Sequence, residues 1–144
     1  MYFRSLLVAA LLCGCPSRTI EDTLPAYSRA YGTAFDRLKS VELSDTQERM
    51  GGLGEAGKAF EPELAELRRR QGEVMDLLVK SVELKKQGLA DKKPTTVDEA
   101  IKLLDDADAK AQRLSGDLKR LNEKLTTAGA PELVAQPRDP NARD

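Results

Sequence analysis

Val97, Leu104, Ala111, Leu118 and Leu125 recur every seven residues, and Ala100, Ala107, Leu114, Leu121 and Ala128 recur every seven between them. This is the feature that most limits what the chain can become. Five heptads pass without a charged seam residue. A seven-residue apolar repeat keeps one stripe of an α-helix facing other helices, and it has no counterpart in the two-residue period of a strand. The pattern predicts a helix over about 96–128. Thr96-Val97-Asp98-Glu99 reads as its capping box, with Thr96 as N-cap and Glu99 reaching back. Gly129 and Pro131 stop it. Ile101 and Leu103 broaden the seam at its start, and the alanines let a neighbour approach closely.

Two more amphipathic stretches precede it. Leu24, Tyr27, Tyr31, Ala34, Leu38 and Val41 recur at spacings of three and four, with Phe35 widening the stripe. They predict a helix over about 24–49, capped by Asp22 or Thr23 and with Pro25 in its first turn. Four glycines between Gly51 and Gly57 then argue for a turn or hinge, since each costs about 1 kcal/mol relative to Ala inside a helix. Pro62 suits the first turn of a second helix over about 60–87, with Glu61, Glu63 and Glu66 near its positive end. Phe60, Leu64, Leu67, Val74, Leu78 and Val82 form its apolar face, Met75 lies beside it, and Gln71 interrupts it. Gly88 marks its end, and Asp91–Thr95 is a turn.

Three long amphipathic segments joined by short connections predict an all-α fold, an elongated antiparallel three-helix bundle or helical hairpin with coiled-coil-like seams. An oligomeric coiled coil, in which the last seam pairs with copies of itself, is the alternative; short loops favour packing within one chain. The composition agrees. Charged residues make up 33%, there is no Trp, and no aromatic residue follows Phe60. Residues 130–144, with Pro137 and Pro140, read as a disordered tail.

Chemistry is scarce. The chain has no His, which removes the commonest general base and any Ser–His arrangement. No serine stands in an S-x-x-K pattern, and the glycine cluster lacks the Lys-Ser/Thr of a phosphate loop. Asp105, Asp106 and Asp108 could offer two carboxylates on one helix face, too few oxygens for a calcium site; a solvated face is the simpler reading. Arg68, Arg69 and Arg70 splay around their helix and are offset by Glu63, Glu66 and Glu73, again a solvated face. Tyr27, Tyr31 and Phe35 read as core rather than as an exposed aromatic platform. A net charge of −1 is no footprint for nucleic acid. These readings point away from an enzyme, with no catalytic residue, cofactor or metal.

The first fifteen residues read MYFRSLLVAALLCGC. Arg4 supplies a positive start, Ser5–Leu12 a short apolar run, and Pro16 a stop. The run has about half the roughly 20 residues needed to span a bilayer, and no A-x-A-like site follows it at the right distance. The stretch resembles the signal peptide of a bacterial lipoprotein, with Leu12-Cys13-Gly14-Cys15 as its lipobox. The small Gly14 precedes Cys15, whereas Leu12 would precede Cys13; Cys13 itself departs from the usual Ala, Ser or Thr. The resemblance implies residues 1–14 as the signal, lipidation at Cys15, a tether over 15–23 and a helical domain over 24–129. It also implies a diacylglyceryl thioether on Cys15, usually with a third chain on its amine, enough for stable anchoring to a lipid bilayer. Loss of Arg4 with the signal would leave the mature chain near −2. Pro16 in place of Asp points to the outer membrane facing the periplasm.

Two functional classes fit. The first is a structural spacer or protein–protein adaptor with another envelope protein as partner. The second is a periplasmic client-binding or regulatory module of pilot or chaperone type, in which the first helix swings away on the glycine hinge. The C-terminal Asn141-Ala142-Arg143-Asp144 lacks the terminal Lys by which the abundant peptidoglycan-linked lipoprotein is attached.

Overall fold

The computed structural model describes residues 18–133, so the lipobox and Cys15 lie outside the described residues, as does the tail from residue 134. The described chain is an all-α helical bundle. Its elements are α1 (Ile20–Lys39), α2 (Leu43–Gly52), a 3-10 segment (Gly54–Phe60), α3 (Glu61–Ala90) and α4 (Pro94–Thr127). At 1.5 Å per residue, α4 is about 50 Å long and sets the length of the bundle. None of the described helices is long and apolar enough to cross a membrane.

Side-chain pairs fix the directions. Glu63 meets Lys124 and Arg70 meets Asp117, so α3 and α4 run antiparallel. Arg18 meets Asp98, Arg37 meets Asp108 and Thr46 meets Asn122, so α1 and α2 together form one broken leg parallel to α4. The topology is up, down, up. Helix α4 packs along both other legs, whereas α1 and α3 touch each other sparingly.

The α4 seam is buried from Val97 to Leu125 by the other legs of the same chain. Ala128 is the exception: it is the exposed C-cap. The core has two parts. With Tyr27, Ala34 and Leu38 of α1 and Val74 and Leu78 of α3, α4 packs Val97 and Leu104 and the small Ala100, Ala107 and Ala111. Beneath Val41, Leu43 and Met50, α4 presents Leu114, Leu118, Leu121 and Leu125.

The helix ends depart from the sequence expectations in instructive ways. Helix α1 starts at Ile20 rather than near Leu24. Its capping box is Thr19 with Asp22: the Asp22 amide donates to Thr19 Oγ1 at 3.3 Å, and the Thr19 amide donates to Asp22 Oδ2 at 3.1 Å. Thr23 is buried instead and donates to the Ile20 carbonyl at 2.8 Å, and Pro25 falls beyond the first turn. The helix expected to run to about 49 breaks at Ser40–Glu42. The break turns both Val41 and Leu43 into the core, which an unbroken 3.6-residue period could not do. Gln71 Nε2 donates to the freed Val41 carbonyl at 3.1 Å. The polar residue that interrupts the α3 face therefore satisfies a buried acceptor at the break.

Helix α4 opens at Lys93–Pro94, so Thr96 is not its N-cap; the Thr96 amide instead donates to the Lys93 carbonyl at 3.2 Å. Helix α3 runs past Gly88 to Ala90. Gly88 is needed for close packing, because a Cβ there would sit 2.7 Å from Val97 Cγ2. Both α3 and α4 end in the same way. Lys93 N donates to Gly88 O and Ala130 N to Leu125 O, each at 2.9 Å, across a residue in the left-handed region. That residue is Gly129 (φ 88°) after α4 but Lys92 (φ 54°) after α3. Ala130, expected to begin the tail, is buried.

Candidate functional surface

Two of the four clustered glycines, Gly52 and Gly57, are packed closely, whereas Gly51 and Gly54 face open space. Gly51 and Gly52 complete α2, Gly54 takes a positive φ of 58°, and a Cβ on Gly57 would collide with the Met50 carbonyl. Gly52 lies against Pro131, where a Cβ would approach to 2.6 Å. Arg49 closes this end. It donates from Nη1 to the Asn122 carbonyl at 3.3 Å, from Nη2 to Thr126 Oγ1 at 2.6 Å and from Nε to the Pro131 carbonyl at 3.2 Å. A cation is thereby placed at the negative end of α4. Nothing local in the sequence marks Arg49 for that role, because its partners lie more than seventy residues away.

The charged clusters are fasteners between or along helices. Asp108 pairs with Arg37 across to α1, and Asp106 pairs with Lys110 at 3.2 Å. Among the described residues no group of three or more His, Cys, Asp or Glu is gathered to hold a metal ion. Arg69 bonds Glu66 at 2.7 Å and also Glu73, all on α3. The Arg69 hydrogen bond holds the Glu66 carboxyl below its ordinary pKa, and the same bonds raise Arg69. Arg70 crosses to Asp117 at 2.6 Å, and Arg68 reaches Gln47.

The aromatic ladder is different. Tyr27, Tyr31 and Phe35 stack with ring centroids 6.1 and 6.0 Å apart. Tyr27 is buried, and its hydroxyl lies 3.3 Å from Ser81 Oγ. Burial pushes its phenol pKa up, against the hydrogen bond to Ser81. Lys85 Nζ sits 5.0 Å from the centre of its ring. Tyr31 is half-buried and Phe35 is 45% exposed, so the expectation that all three are core holds only for the first.

Opposite them on α3, Met75 and Val79 are each 55% exposed. Val82, expected on the core face, is half-buried beside them, while Ser81 takes the core position. These side chains line a groove of about 310 Å³ between α1 and α3, floored by Leu38 and Leu78 and rimmed by Glu83 and Lys86. The groove exists because α1 and α3 each pack mainly on α4 and leave their outer apolar stripes facing one another across a gap. An aromatic ring, a thioether and branched aliphatic chains on one exposed strip suit the apolar face of another helix. The sequence signal for it was Met75 and Phe35 standing just off their seams. No known family model, curated protein or solved structure matches this chain.

Proposed function

We propose that this chain is a lipid-anchored helical protein of the bacterial envelope, held in the outer membrane through acyl groups on Cys15. It would serve there as a spacer and adaptor that docks another envelope protein. The observation that carries the adaptor half is the exposed strip of Phe35, Met75 and Val79 on a bundle whose principal seam is already covered by its own chain. Such a strip costs solubility unless something covers it. The anchor half rests on the order Leu12-Cys13-Gly14-Cys15 after a short apolar run. A helix about 50 Å long gives the reach expected of a spacer.

Metabolic labelling with a fatty acid tests the anchor. Label should vanish in Cys15→Ala and persist in Cys13→Ala; label surviving in Cys15→Ala overturns it. Affinity capture from membranes with the native anchor tests the adaptor. Val79→Asp and Met75→Asp lie at positions that are each 55% exposed, so the melting temperature should change little. The partner recovered with the wild type should be lost. Retention of the same partner by both variants would exclude the groove as its docking site.

A further inference from the structure

The end of the bundle nearest Cys15 is built from three elements. Arg18 bonds Asp98 at 3.3 Å, joining the start of α1 to the first turn of α4. Gly88, near the end of α3, lies against Val97. The α3–α4 corner is therefore at the same end of the molecule as the start of α1. Only two residues separate Cys15 from Arg18. A fully extended chain spans at most about 3.6 Å per residue, so Arg18 lies within roughly 11 Å of the Cys15 backbone. If Cys15 carries the acyl chains, this end of the bundle is held at the bilayer surface, on the order of a Debye length away.

The corner from Lys85 to Lys93 carries four lysines and one acid, Asp91. Lys85 is occupied over the Tyr27 ring, but Lys86, Lys92 and Lys93 are exposed, and Leu89 between them is 39% exposed. On α3 and the corner itself the acids are Asp91 and, one turn before Lys86, Glu83; the other acids at this end stand on α1 and α4. Glu21 and Asp22 open α1, where Asp22 is engaged by Thr19, and Asp98 and Glu99 open α4, where Asp98 is paired with Arg18. The end is thus polarised, with its free positive charge at the α3–α4 corner. Lysines near an anionic surface are attracted over about a Debye length, and an exposed leucine among them can enter the interface.

We propose that the α3–α4 corner is a second membrane contact, docking through Lys86, Lys92, Lys93 and Leu89 on anionic lipid head groups and setting the orientation of the bundle on its membrane. This rests on the reading of Cys15 as the anchor.

The test uses the mature full chain reconstituted in vesicles of phosphatidylcholine, with or without about one-third phosphatidylglycerol. Hydrogen exchange across Lys85–Lys93 should slow by about threefold or more on the anionic vesicles only. The protection should disappear at about 0.5 M salt, where screening is short-ranged. The triple variant Lys86→Gln, Lys92→Gln, Lys93→Gln should lose it while keeping the wild-type melting temperature. A fluorophore on Leu89→Cys should report an apolar environment on the same vesicles and not on neutral ones. Equal exchange on both vesicles, or protection that survives in the triple variant, overturns the docking proposal while leaving the anchor intact. An intact mass without acyl chains on Cys15 overturns the anchor reading, and the proposal with it.

Discussion

At the scale of the residue, glycine separates structural need from tolerance. Gly72 and Gly116 stand in helix interiors, and a Cβ at either meets nothing within 4 Å. Gly72→Ala and Gly116→Ala should each stabilise by about 0.5–1 kcal/mol, because alanine restricts the unfolded chain and favours helix. Gly88→Ala should destabilise by about 1–3 kcal/mol, since its methyl group would overlap Val97 and the Lys93 carbonyl. Chemical denaturation of the three variants checks the opposite signs. Leu114, fully buried in the second core cluster, should cost about 2–5 kcal/mol as Leu114→Ala, whereas exposed Lys119→Ala should stay within about 0.5 kcal/mol. Titration gives a further expectation. The Thr19 amide and hydroxyl hold the Asp22 carboxyl below its ordinary pKa, as Arg69 does for Glu66. Both groups bind protons less readily folded than unfolded. Their contribution is present above about pH 4 and is lost as pH falls through their lowered folded values. Tyr27 is the reverse: its raised phenol contributes below about pH 10, and that contribution is lost as pH rises through the folded value. With no His, the melting temperature should be level between about pH 5 and 8 and fall on both sides.

At the scale of the element, the two functional classes differ in what they require of the first leg. A client binder that opens on a glycine hinge needs α1 and α2 to leave α4 easily. The glycine corner is instead closed by Gly57 against Met50 and by Arg49 across to Asn122, Thr126 and Pro131. Thr46 is buried and donates to Asn122 Oδ1 at 3.0 Å. The amides of α1 and α2 should therefore exchange with those of α4 in one cooperative unit, as a rigid spacer requires. Exchange of the first leg well ahead of α4 would favour the client binder. Arg49→Ala should produce that early opening in α2 alone, since it removes bonds that only α2 makes to the end of α4. The break at Ser40–Glu42 has its own test. Gln71→Leu leaves the Val41 carbonyl without its partner, and a buried unsatisfied acceptor costs about 1–3 kcal/mol.

At the scale of the whole molecule, one seam serves one chain. The α4 stripe from Val97 to Leu125 is covered by α1, α2 and α3. Melting should therefore be independent of protein concentration; a midpoint that rises with concentration would instead mark folding coupled to self-association. The bundle stands as a rod. Its glycine corner and the start of α3 lie at one end, and the α3–α4 corner lies at the other, with Arg18 and the start of α1. The exposed groove falls between these ends along α1 and α3, so a docked helix would lie along the rod rather than cap it.

The sequence by itself determined the helical class, the three amphipathic legs and nearly the whole α4 seam. Each of these is a periodicity within one segment, and a repeat of seven is visible wherever the segment goes. It also carries Leu12-Cys13-Gly14-Cys15, the stretch proposed above as a lipobox, which lies outside the described residues. Only the tertiary structure decided where the first leg breaks, because Val41 and Leu43 can both be buried only once Gln71, thirty residues on, accepts the duty of satisfying the freed carbonyl. The same holds for Gly52, Gly57 and Gly88, whose need is set by contacts with Pro131, Met50 and Val97. It holds most of all for the groove. Periodicity says that a helix face is apolar, but whether another helix covers that face is a property of packing. Here α1 and α3 both choose α4, and Phe35, Met75 and Val79 are left facing water.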